Sequence, residues 1–138
     1  MKARIAVRAD YANVTADQKL NVMGIFNVIN APLAPAMHRQ MMLVLSFVSD
    51  PWDVLNQFPF QVELVDEDGH VLLNLQGNMT AAQAPSGEQA TTNCILSVND
   101  LVFNKFGHYE FKITVNGEPF ATLPLLVQQM LASNKSAL

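Results

Sequence analysis

The sequence predicts an all-β fold, a two-sheet antiparallel β-sandwich of about seven to eight short strands with little helix. Three observations lead there. Apolar and polar residues alternate in segment after segment, and turn residues interrupt them roughly every ten positions. The stretch Phe106 to Val127, FGHYEFKITVNGEPFATLPLLV, reads as two strands joined at Asn116-Gly117. A chain of 138 residues fits one domain. Residues 1–130 are expected to form the sandwich and 131–138 a frayed C-terminal tail.

Taken in order, Ala3 to Ala9 sets Ile5 and Val7 against Arg4 and Arg8, the pattern of a strand with one wet face. Asp10 to Lys19 is polar and turn-rich. Leu20 to Ile29, LNVMGIFNVI, is a longer strand, apolar on both faces. Gly24 inside it marks a bulge or a close approach of another backbone. Asn30 to Gln40 holds Pro32 and Pro35 and is a loop that crosses between sheets. Met41 to Val48 is almost continuously apolar, as a central strand should be. Asp50-Pro51-Trp52 supplies an N-cap and a proline at the first helical position, which fits one short helical turn.

Phe60 to Val65 and Val71 to Leu75 form the next hairpin. A four-residue loop from Asp66 to Gly69 pairs Leu64 with Val71 and Phe60 with Leu75, so register and apolar pattern agree. Asn78 to Asn93 is a polar loop, Cys94 to Val98 a short strand, and Asn99 to Gly107 a corner. In the closing hairpin, a three-residue loop Asn116 to Glu118 with a glycine bulge pairs Ile113 with Ala121 and Phe111 with Leu123. That register puts Tyr109, Phe111, Ile113 and Val115 on one inward face. Pro124 lacks an N–H and requires a free edge near the middle of the last strand.

Two stretches carry a resemblance. ADYANVTADQKLNVMGIF (Ala9 to Phe26) and FGHYEFKITVNGEPFATLPL (Phe106 to Leu125) resemble an uncharacterised bacterial family of small all-β proteins, a domain of unknown function. The family's first hairpin favours glycine where this chain has Gln18. The resemblance implies a fold and brings no activity. A looser resemblance is to immunoglobulin-like sandwiches: Leu96-Ser97-Val98, a polar corner, then Gly107-His108-Tyr109 is similar to the approach to a tyrosine corner. It implies an immunoglobulin-like or related Greek-key topology. The disulfide and buried tryptophan of antibody domains have no counterpart, since Cys94 is the only cysteine and Trp52 sits in a loop.

Composition narrows the function. Apolar residues make up 50 % of the chain and charged residues 14 %, against roughly 25 % charged in ordinary soluble domains. Fewer charges leave more surface to be covered by self-association. The net charge is −4 and the eight Lys and Arg are scattered, so nucleic acid is not an expected partner. A lone cysteine implies no disulfide, the N-terminus lacks a signal-peptide pattern, and no apolar run is long enough to span a bilayer. A cytoplasmic location without membrane association is the expectation.

Candidate chemistry is sparse. Asp66-Glu67-Asp68-Gly69 offers oxygens for Ca²⁺, with Asp10 and Asp17 joining if the loops share an end, but Asp and Gly are also what a solvated turn needs. His38, His70 and His108 lack the spacing of a Zn²⁺ site. Cys94 has no nucleophile elbow around it and reads as a small core residue. The sequence therefore points to no catalytic residue, cofactor or metal. Its first reading is a non-enzymatic interaction or assembly module that self-associates as a homodimer or binds another protein. The alternative is a small-ligand or carbohydrate-binding module, with or without calcium, whose surface comprises Trp52, Asp50, Asp53 and Tyr11.

Overall fold

The computed structural model describes residues 2–50, 57–82 and 88–130. Among the described residues the chain is all-β, with nine strands: β1 (Lys2–Val14), β2 (Leu20–Ile25), β3 (Val28–Ala31), β4 (Ala36–Ser49), β5 (Gln57–Asp66), β6 (Val71–Thr80), β7 (Ala90–Phe103), β8 (Gly107–Val115) and β9 (Glu118–Gln129). They form two sheets. One is antiparallel with order β2-β1-β4-β7, and the other has order β3-β9-β8-β5-β6. The second sheet is mixed, because β3 pairs with β9 in parallel. The helical turn expected at 50–52 lies outside the described residues beyond Asp50.

The core forms where the inner faces meet. Met41, Leu43, Leu45 and Phe47 of β4 lie against Val62 and Leu64 of β5, the β8 row Tyr109, Phe111, Ile113 and Val115, and Leu125 and Val127 of β9, in one buried cluster. Each large side chain removed from water contributes about 1.5–3 kcal/mol. The central placement expected for Met41 to Val48 holds, with β1 on one side of β4 and β7 on the other. The proline-containing segment 32–35 does carry the chain from one sheet to the other.

Several elements differ from the sequence pattern. The apolar run Leu20 to Ile29 is two strands, since the chain leaves one sheet after Ile25 and enters the other at Val28. Gly24, at φ 73°, marks a close approach: a Cβ there would lie 2.5 Å from Oδ2 of Asp10. β7 is longer than Cys94 to Val98 because β4 offers it a ladder from Ala36↔Phe103 to Ser49↔Ala90. In the β5–β6 hairpin, Leu64 faces Leu73 and Phe60 faces Gly77, two residues from the expected pairing. The register shifts between Leu64 and Val65, so Leu72 is an extra residue in β6. A shift of two preserves the faces of the strand, so the apolar pattern alone could not detect it.

The closing hairpin keeps its predicted register, Ile113↔Ala121 and Phe111↔Leu123, by a different route. The loop is only Asn116-Gly117, with both residues at positive φ (54° and 79°), as a two-residue turn requires. Val115 then faces Glu118, and the extra residue is Phe120, bulged opposite the Ile113–Thr114 step. The bulge leaves Phe120 half-buried and edge-on to Phe47, with ring centres 6.1 Å apart. At the other end of β8, the Tyr109 hydroxyl donates to the carbonyl of Lys105 at 2.6 Å, fastening the corner between the sheets.

β1 inverts the expected alternation. A register shift between Ala3 and Ile5 makes Arg4 the extra residue. Beyond it Ile5 and Val7 face Ser46 and Val44, while Ala6 and Arg8 face the core residues Leu45 and Leu43. Arg8 is thus buried, 2 % exposed, rather than on a wet face. Its Nη2 donates to the carbonyl of Pro124 at 2.6 Å. Its guanidinium carbon lies 5.5 Å from the ring centres of both Phe26 and Phe111. The accepting carbonyl sits where Pro124 was expected to mark a free edge, since β3 covers only Leu126 to Gln129 of β9. Burying an unpaired charge costs several kcal/mol, and each cation–π contact offsets about 1–2 of that.

Candidate functional site

The outer face of the four-stranded sheet is the least ordinary surface of the molecule. Ile5, Ser46, Thr91 and Asn93 line a groove together with Val14, Leu20 and Val22, with a volume of ≈ 1020 Å³. Ile5 and Val14 are nine residues apart on β1, about 30 Å if the strand were straight. The β1–β2 hairpin therefore bends back over the sheet. That overhang covers Val44 and Ser46, which are fully buried although they point away from the core. The backbone N–H of Ala12 donates to Sδ of Met42 at 3.3 Å, tying the hairpin to β4.

On the opposite face of the same hairpin Tyr11, Met23 and Ile25 are exposed, while Ala9 is fully buried. Tyr11 and Met23 are a cross-strand pair, and Ala9 pairs with Ile25. Tyr11 is 46 % exposed, Met23 63 % and Ile25 60 %. Among the described residues β2 is an edge strand, hydrogen-bonded only to β1. Leu20 to Ile29 contains no charged residue and no proline, so the edge lacks the usual protection against pairing with another strand. The hairpin turns through Thr15 to Lys19, where Gln18 stands at φ 70° in the position that favours glycine. Thr15 Oγ1 accepts from Lys19 N at 3.0 Å and also bonds Asp17, which with Lys19 holds the Asp17 carboxyl below its usual range.

The acidic turn is a second cluster. One ligand atom each from Asp66, Asp68 and His70 fall within 4.8 Å of one another. The turn itself uses them. Asp66 Oδ1 accepts from the N–H groups of Asp68 and His70, both at 2.9 Å, and Oδ2 lies 3.2 Å from His70 Nδ1. Asp68 Oδ2 meets Lys105 Nζ at 2.8 Å. Desolvation pushes the Asp66 carboxyl up, but the hydrogen bonds from His70 and Asp68 outweigh it and leave it below the usual range. Glu67 Oε1 accepts from His108 N at 2.6 Å, joining the turn to the start of β8. Asp10, beside Gly24, and Asp17, in the β1–β2 turn, do not join this group.

Of the binding surface expected from the sequence, Trp52 and Asp53 lie outside the described residues. Asp50 accepts from Gln89 Nε2 at 3.1 Å, in a cleft lined by Lys2, Arg4 and Val48. Tyr11 lies at the far end of β1, in the β1–β2 hairpin, so Asp50 and Tyr11 do not share a surface. Cys94 faces inward and packs against the core, and burial pushes its thiol up. His38 stacks on Phe26, with ring centres 5.6 Å apart. Arg8 was expected on the wet face of the first strand and is buried instead. Its only signal was a cation inside an apolar strand, which is also how a wet face looks.

These features define an all-β protein of two sheets whose most distinctive exposed surface is an uncharged, apolar edge. The chain belongs to the family of unknown function DUF6941, which matches residues 4–128. No curated protein matches it. Among solved structures it is similar to Pseudomonas fluorescens alkylpurine DNA glycosylase AlkC bound to DNA containing an abasic site analog. The identity is 14 % and the TM-score 0.41, over 74 % of this chain and 27 % of that one. This chain thus spans little more than a quarter of that protein, and a likeness at this level carries no argument about function.

Proposed function

We propose that this protein is a non-enzymatic interaction module that self-associates through the edge of β2. The observation that carries this reading is the exposure of Met23 and Ile25, 63 % and 60 %, on an uncharged strand with one unpaired side. The partner is a second copy, because a two-fold axis beside β2 would pair the edge with itself and bring both apolar pairs together. The low charge of the chain, 14 %, supports the same reading. We read the architecture as related to immunoglobulin-like or other Greek-key sandwiches, a reading supported by the Tyr109–Lys105 corner. A cytoplasmic location is part of the proposal and is supported by the single, inward-facing Cys94.

Size-exclusion chromatography with light scattering tests the assembly. The chain is expected to run as a dimer at micromolar concentration, and Ile25→Lys or Met23→Glu as a folded monomer. A strictly monomeric native chain, or a dimer unchanged by both substitutions, would overturn the proposal.

A further inference from the structure

The groove under the β1–β2 hairpin is roomy enough for a ligand. Its volume, ≈ 1020 Å³, lies at the upper end of small-molecule sites, which span about 300–1,000 Å³. Its two sides differ in chemistry. The roof is the hairpin, which contributes Val14, Leu20 and Val22. The floor is the outer face of the sheet, where Ile5, Ser46 and Asn93 form one row across β1, β4 and β7. Arg4 stands beside that row as the bulged extra residue of β1. A bulge re-aims a side chain, and this one leaves Arg4 in the lining of the groove.

The lining decides the ligand. Its apolar side chains are aliphatic throughout, whereas sugar rings and bases are held by stacking on aromatic ones. Its charged side chains, Arg4 and Lys19, are both cations, although the chain as a whole carries −4. Lys19 is shared with Asp17, whose carboxylate is 3.2 Å away, in an exposed pair worth little. Arg4 also borders the cleft that holds Asp50, but has no carboxylate within 4.0 Å among the described residues. A free guanidinium matches a carboxylate in a bidentate pair. Each methylene that slides under an aliphatic roof leaves water favourably. A cation beside such a roof therefore fits one anionic head on one aliphatic tail.

We propose that this groove binds a free medium-chain aliphatic carboxylate, with its head on Arg4 and its tail beneath Val14, Leu20 and Val22. Ser46 and Asn93 offer hydrogen-bonding groups to the head from the floor. The proposal does not rest on self-association, which uses Met23 and Ile25 on the other face of the hairpin.

Methyl NMR of the full chain, titrated with sodium decanoate below its micellar range, tests it. The methyls of Ile5, Val14, Leu20 and Val22 should shift together and saturate. Decyltrimethylammonium, with the same tail and the opposite charge, should not saturate them. Acetate, with the head and no tail, should leave them in place. Arg4 is exposed, so Arg4→Gln should fold as the native chain does. It should raise the half-saturating decanoate concentration roughly three- to fivefold. Groove methyls that decanoate does not saturate, that acetate or the cationic amphiphile moves as well, or whose titration Arg4→Gln leaves unchanged would overturn the site. Shifts confined to Met23 and Ile25 would also overturn it, by placing the amphiphile on the exposed edge instead.

Discussion

The β8–β9 and β1–β2 hairpins are built alike and end differently. Each turns tightly through a non-glycine residue in the left-handed region, Asn116 at φ 54° and Gln18 at φ 70°. Each carries a row of large apolar residues. In β8 that row, Tyr109 to Val115, is buried throughout, whereas Met23 and Ile25 in β2 face solvent. The difference comes from neighbours. β8 lies between β9 and β5 with another sheet opposite, while among the described residues β2 has only β1 beside it. Local pattern makes a hairpin in both cases, and what lies opposite decides whether its apolar face becomes core or contact surface.

The sharpest way to break that comparison is to remove one side chain from each row. Phe111→Ala should cost about 3–5 kcal/mol, because it leaves a cavity among fully packed neighbours. Ile25→Ser should change the stability of the monomer by about 0.5 kcal/mol or less. Denaturant unfolding at low protein concentration measures both, and a loss in Ile25→Ser approaching that in Phe111→Ala would mean that β2 is covered within its own chain. The corner of β8 comes next. Tyr109→Phe keeps the ring against Phe103 and removes the bond to Lys105, for an expected loss of about 1 kcal/mol by the same measurement.

The two turns sharpen the contrast further. Gln18→Gly relieves a left-handed residue and should raise stability by about 0.5–1 kcal/mol. Asn116→Gly should change it by no more than a few tenths, since Asn tolerates that conformation. Equal gains at both turns would show that the residue type at Gln18 is not the source. The smallest expected effect is at the acidic turn. The folded Asp66 carboxyl titrates below its ordinary value of about 3.9. Its contribution is therefore present above that pH and is lost as pH falls through the folded pKa. Asp66→Asn should flatten the acid limb of the stability curve below about pH 4, and an unaltered limb would show that the turn's hydrogen bonds do not depend on the charge.

Much of the fold was legible in the residues. The alternation in β8, the central apolar run of β4, the proline-bearing crossover and the free edge at Pro124 all follow from side-chain period and backbone chemistry. The candidate site was less so. Tyr11 was picked out as an aromatic beside a loop, and Met23 and Ile25 belonged to a strand whose two apolar faces had to be buried either inside the fold or by a partner. Arg8 read as a surface cation because alternation says which residues share a face and not which face is inside.

What the sequence determined by itself is what a strand's local chemistry settles: where strands run, which side chains share a face, and where Asn116-Gly117 must turn. Tertiary structure alone decided three things. It placed the bulges at Arg4, Leu72 and Phe120, since only the partner strand determines where an extra residue fits. It divided Leu20 to Ile29 between two sheets. It turned Arg8 inward, because the register against β4 set that face of β1 toward Leu43 and Leu45. Each depends on contacts between residues far apart in the chain, and the pattern within one strand carries no record of them.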